Sequence, residues 1–246
     1  MVNKNGMDLF VSNVTVEELN RIRIKLGLEE SDVVLPGEDV LITDPPEGFV
    51  GVYIPAFEEG NLRIPLSKFY LDVLEYYKCH LTYMHPLGTA RIMVFEVLCK
   101  AYGGEPTVDL FRSCFQAGPA GDWVTIQKRG KEFYKQGKYD IRQWKSSYFF
   151  LNVEKIDSKY HDVVLNPSYE RRSQKFRDPE PVEFDRVLYE RLWNNRIELV
   201  AFPEAVLFMA GVAPFWEHQK RTPVAVCDNQ GRYFDIFGIA YLGYYV

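Results

Sequence analysis

The chain has 246 residues, 47% of them apolar and 15% aromatic, which excludes a disordered tail and supplies enough large side chains for a sizeable core. A formal charge of -5 with a pI near 5.5 excludes binding to nucleic acid through bulk positive charge alone. The charge is segregated: Glu29 to Glu59 carries nine acidic residues and no Lys or Arg, whereas Lys128 to Lys145 carries seven basic residues against two acidic.

In chain order, Thr15-Val16-Glu17-Glu18 has the form of a capping box ahead of Leu19, Ile22 and Leu26, and predicts a helix from about Val16 to Gly27. The acidic, proline-punctuated stretch from Glu29 to Pro46 reads as an irregular lead-in. A short strand over Phe49 to Ile54 follows, bounded by Pro55. Ser67 is placed to cap an amphipathic helix in which Leu66, Tyr70, Val73, Leu74 and Tyr77 recur at helical spacing. A second helix, about Thr89 to Tyr102, is apolar almost all round and belongs in the core.

A third helix is predicted over about Val108 to Gln116, closed by Gly118-Pro119-Ala120-Gly121. The period then changes: Trp123 to Gln127 and Ser147 to Leu151 are strand-like, and the Gly-containing basic segment between them is the candidate hairpin. Asn152 to Pro181 turns polar, with Asn166-Pro167 and Asp178-Pro179-Glu180-Pro181 as breakers, and reads as a linker. Helical patterns resume over Val182 to Asn195 and from Pro203 through Met209. The predicted class is α+β: a helical core, then a small antiparallel β element, with a smaller helical C-terminal region. The predicted divisions are residues 1–34 (N-terminal helix and lead-in), 35–153 (main domain), 154–181 (linker) and 182–246 (helical C-terminal region).

Three consecutive pieces carry a family resemblance: Asn61-Leu62-Arg63-Ile64-Pro65-Leu66, the helix Phe69 to Tyr77, and Arg91 to Gly104 followed by Glu105-Pro106-Thr107-Val108-Asp109-Leu110-Phe111. Trp144-Lys145-Ser146-Ser147-Tyr148-Phe149-Phe150-Leu151 supplies a fourth, closing piece. In this order and spacing they resemble the gypsy-type transposase domain of plant LTR retrotransposon proteins, over roughly Leu35 to Val153. The resemblance implies an intracellular plant protein or element copy, in a Gag-like or accessory position. It implies no demonstrated reaction; assembly or nucleoprotein roles are what it points to.

Residue by residue, the chemistry gives no catalytic set. Asp109 opens a helix and Asp140 lies among basic residues, so neither ends an apolar strand as a metal-binding carboxylate would. Asp157-Ser158-Lys159 lacks the glycine of an aspartic-protease loop, and no Asp-Asp pair occurs. Gly130 to Gly137 followed by Lys138 is too long for a phosphate loop, and Tyr139 replaces its Ser or Thr. Cys79, His80 and His85 cluster but fall short of a zinc-knuckle set, and read as a buried thiol with turn histidines. Cys99, Cys114 and Cys227 are widely spaced in apolar contexts, as expected of reduced thiols. A non-enzyme without metal, cofactor or small-molecule substrate is therefore expected.

The segment with functional colour is Lys128, Arg129, Lys131, Tyr134, Lys135, Lys138, Trp144 and Lys145, where cations alternate with rings able to stack on bases. The competing reading is a solvated hairpin whose rings turn inward. Arg171, Arg172, Lys175 and Arg177 form a second basic cluster in the linker. Self-association through the acidic and basic segments leads, RNA or DNA binding is the alternative, and an unrecognised enzyme is third. The longest apolar run, Ala205 to Trp216, is short for a membrane span and is interrupted by Pro214. No leader is read at the N-terminus, so an intracellular location, cytoplasm or nucleus, is expected. The apolar ending Gly238 to Val246 suggests a fragment of a longer polyprotein.

Overall fold

The computed structural model describes residues 6–129, 141, 143–165, 179, 181, 183–195, 202 and 204–212. The fold is α+β, with a three-stranded sheet, a two-stranded sheet and helices packed about them. Helix α1 (Val16–Leu26) starts where the Thr15 hydroxyl accepts the Glu18 amide at 3.1 Å, and buries Leu19, Ile22 and Leu26. Helix α3 (Lys68–Tyr77) starts in the same way at Ser67, which accepts the Tyr70 amide. Both caps stand where the sequence put them, because a hydroxyl one residue before an apolar-periodic run has an orphan amide to satisfy.

Helix α4 (Pro86–Ala101) is the axis of the core: Ile92, Val94, Phe95, Val97, Leu98 and Cys99 are fully buried. It begins three residues before Thr89, because Pro86 sits in its first turn and the His85 ring caps it. The short helix α2 (Ile54–Glu58) and α3 pack against it. Helix α5 (Val108–Cys114) adds Phe111, whose ring centroid lies 5.9 Å from Phe69, 5.3 Å from Phe95 and 5.0 Å from Phe115. Each such ring contributes about 1.5–3 kcal/mol by burial alone.

Two sequence expectations are corrected here. The third helix stops at Cys114, and Phe115–Ala120 is a strand, β3, paired antiparallel with β4 (Trp123–Lys128). Gly121 at φ +66° and Asp122 close that hairpin between Ala120 and Trp123. A hairpin thus lies upstream of the basic segment, and the second strand-like run pairs elsewhere; the candidate hairpin between the two runs falls on residues 130–140, outside the described residues. Strand β5 (Tyr148–Asn152) is the centre of the other sheet, between β1 (Val33–Val34) and β2 (Phe49–Tyr53), both antiparallel to it. Its run of large side chains is explained by burial on both faces. Phe149 and Leu151 enter the main core, whereas Tyr148 and Phe150 enter a second cluster with Met7, Ile42, Tyr53, Trp123 and Trp144.

The stretch read as a linker is packed over its first part. Ile156, Tyr160, Val163 and Val164 are buried, the last two on helix α6 (His161–Leu165). Helix α7 (Arg186–Asn194), capped by Asp185, returns to α4. Its Leu188 occupies the space a Cβ at Gly104 would need: that atom would stand 2.3 Å from Leu188 Cδ2. Helix α8 (Glu204–Met209) adds Val206 and Leu207, and the Phe202 amide donates to Asn61 Oδ1 at 2.6 Å. One apolar cluster therefore runs from Val14 to Val212, across the boundaries read at residues 34, 153 and 181.

Candidate functional site

The second cluster is an aromatic wall built from four elements. Tyr53 ends β2, Trp123 begins β4, Tyr148 begins β5, and Trp144 lies on a helical turn, Trp144–Ser146. The Trp144 ring makes edge contacts with Tyr53 at 4.8 Å, Trp123 at 4.9 Å and His85 at 4.6 Å. The polar tips are bonded, as buried aromatic hydroxyls and indoles require. Trp123 Nε1 donates to the Tyr53 hydroxyl at 2.9 Å, and the Tyr148 hydroxyl donates to Val40 O at 2.8 Å. Burial pushes the Tyr53 phenol well above its ordinary range.

Against this wall lies the N-terminal segment, pinned by the Asn13 amide to Ser146 O at 2.8 Å and by Ser12 Oγ to Tyr148 O at 2.7 Å. Between the two opens a cleft of about 480 Å³ lined by Phe10, Asn13, Ile141, Gln143, Lys145 and Ser146 around Trp144. The Lys145 ammonium lies 4.7 Å from the ring centroids of both Phe10 and Trp123. Ring faces attract and place such a cation without neutralising it. Gln143 is exposed, with its backbone at φ 60°, a left-handed conformation uncommon outside glycine.

The structure brings together some of the residues singled out in the basic-aromatic segment. Lys128 is exposed at the end of β4, and Arg129 follows it, with its amide on Cys114 O at 2.9 Å and Nε on Phe115 O at 3.0 Å. Lys145 stands on the cleft. Trp144, 7% exposed, has its ring engaged by core partners, so it builds the wall rather than an open stacking face. Lys131, Tyr134, Lys135 and Lys138 lie outside the described residues, as does the cluster Arg171, Arg172, Lys175 and Arg177. Sequence reasoning missed Phe10, Asn13 and Gln143. Phe10 and Asn13 meet Lys145 and Ser146 only through the tertiary fold, and no local pattern marks such a meeting.

The histidines turn out to be caps. His80 Nδ1 accepts the Thr82 amide at 3.2 Å, and His85 Nδ1 accepts the Leu87 amide at 3.0 Å. Burial lowers His80 to about 4 against an opposing hydrogen bond with the Val164 backbone. Burial lowers His85 to about 4 as well, reinforced by Arg91 and Lys145. A cavity of about 210 Å³ lies beside His80, Thr82 and Tyr83. Cys79 is fully buried, and burial drives its thiol far up. Among the described residues no group of three or more His, Cys, Asp or Glu is gathered as metal ligands, and no helix is long and apolar enough to cross a membrane.

With this geometry in view, a family model described as "Putative gypsy type transposon" matches residues 52–119. The chain is similar to that family over this span. It runs from within β2 through α5 into β3, and holds the three consecutive pieces, Asn61 to Leu66, Phe69 to Tyr77 and Arg91 to Phe111, that carry the resemblance. The closing piece, Trp144 to Leu151, lies beyond it. Neither a curated protein nor a solved structure matches the chain.

Proposed function

We propose that this chain is a non-catalytic, retrotransposon-derived structural or interaction protein of plants, Gag-like or accessory in role and intracellular in location. One observation carries the reading: across residues 52–119, the polar side chains at helix starts and the buried polar and charged ones are spent on internal bonds. Ser67, His80, His85 and Thr107 cap helical turns, and Asn61, Arg63, Thr82 and Glu96 are buried and bonded within the core. Glu96, 2% exposed, takes a hydrogen bond from Ser67 Oγ and pairs with Lys100 at 2.9 Å. Groups so occupied hold a shape. The acidic stretch from Glu29 to Glu59 and the basic stretch from Lys128 to Lys145 then supply the attraction between copies. Light scattering on the full chain is expected to show oligomers at low salt that dissociate as salt is raised. A strict monomer at high concentration in low salt would remove the assembly role.

A second reading, a nucleic-acid-binding module using residues 128–145, is favoured by Lys145, whose ammonium is held by rings at the mouth of a cleft. Fluorescence anisotropy with single-stranded and duplex oligonucleotides is expected to show affinity that falls with salt. Affinity indifferent to salt would count against phosphate recognition.

A further inference from the structure

We infer that the cleft between Phe10 and the Gln143–Ser146 turn is a binding site for one nucleotide of single-stranded nucleic acid, an inference that rests on the second reading above. The volume, about 480 Å³, falls in the range of small-ligand sites. Its lining divides by chemistry in the way a nucleotide does. Half-buried Phe10 and Ile141 offer apolar surface for the face of a base. The exposed amides of Asn13 and Gln143 each carry a donor and an acceptor for a base edge. Lys145 supplies the cation for a phosphate. Among the described residues no carboxylate pairs with it, and the two rings set its position before any ligand arrives.

A further observation singles out Gln143. Its backbone stands at φ 60°, where glycine would sit without strain, yet the position carries a long amide directed by that conformation beside the cleft. An acidic side chain from another protein would use the ammonium and leave both amides and the apolar face without a role. Strand β4 starts at Trp123, beneath Lys145, and ends at Lys128, roughly 17 Å away at ordinary strand rise.

The test is a salt-dependent titration of the full-length chain with a short oligouridylate, beside Phe10→Ala, Lys145→Gln and Gln143→Gly. Phe10→Ala is expected to weaken binding about tenfold, the size of one lost base–aromatic stack. Lys145→Gln is expected to reduce the salt slope by about 0.7, one phosphate contact on a single strand. Gln143→Gly is expected to raise the melting temperature while weakening binding, a pairing that damage to the fold would not produce. If the wild type binds, and Lys128→Glu with Arg129→Glu abolishes binding while all three cleft variants bind normally, the cleft is overturned and the second reading stands. If the wild type does not bind, both fall. Binding of a peptide spanning residues 29–59, lost in Lys145→Gln with no oligonucleotide binding, would make the cleft a protein-docking site and overturn the inference.

Discussion

Residues 52–119 and the edge formed by Phe10, Asn13 and Gln143 to Ser146 treat their polar groups in opposite ways. In the first region Arg63 is 4% exposed, and its guanidinium reaches the Phe57 and Leu62 carbonyls. Thr82 Oγ1 donates to Gly51 O at 2.8 Å, and Tyr70 shares a hydrogen bond with Thr89 at 3.1 Å. In the second region the Asn13 and Gln143 side chains stand exposed, and Lys145 rests on ring faces. A buried polar group whose bonds are made inside specifies the fold. An exposed group held in place by its neighbours keeps bonding capacity for something outside. The family match covers the first kind of region and stops short of the second.

The sharpest way to break this contrast is to cut one ring from each side. Phe111 is fully buried among Phe69, Phe95 and Phe115, so Phe111→Ala is expected to cost about 3–5 kcal/mol in urea unfolding. Half-buried Phe10, cut to Ala, should cost no more than about 1 kcal/mol while reducing oligonucleotide affinity. Equal losses of stability from the two would erase the distinction between scaffold and surface.

The two histidine caps come next in size. Both are held near pKa 4 in the folded chain, against 6.5 unfolded, so between those values the unfolded state binds more protons. Their contribution is whole above about pH 6.5 and is lost as pH falls toward 4. Each shift converts to roughly 2 kcal/mol after allowance for partial exposure. Urea midpoints measured down this range should fall, and His85→Asn, which keeps a capping acceptor, should flatten part of the slope. A slope unchanged by that substitution would mean that His85 is not a neutral cap.

Most of the helical scaffold was legible because its signals are local. Thr15 and Ser67 precede apolar runs at helical spacing, and α4 announces burial by being apolar all round. The β3–β4 hairpin was not legible, since Phe115 to Gly118 continue the apolar texture of α5 and only the cross-strand partners make them a strand. The packing of Ile156 to Val164 was hidden by the polar residues between them, and α6 is only five residues long. Of the candidate site, Lys145 could be read from its basic-aromatic surroundings. The wall role of Trp144 depends on Tyr53, Trp123 and His85, each far from it in sequence.

The smallest expected effect separates strain in the scaffold from strain at the cleft. Lys78, after the last residue of α3, has φ 50° and ψ 46°, and its amide bonds back to the Glu75 and Leu74 carbonyls. Glycine adopts this conformation without the side-chain penalty, and the exposed Lys78–Glu75 pair that the change removes is worth little. Lys78→Gly is therefore expected to stabilise the chain by about 0.5 kcal/mol and to leave oligonucleotide binding unchanged. Gln143→Gly relieves a similar backbone conformation, and differs only in what the lost side chain faces. If Lys78→Gly weakened binding as much as Gln143→Gly, the effect would belong to backbone relaxation in general, and the amide at the cleft would lose its role.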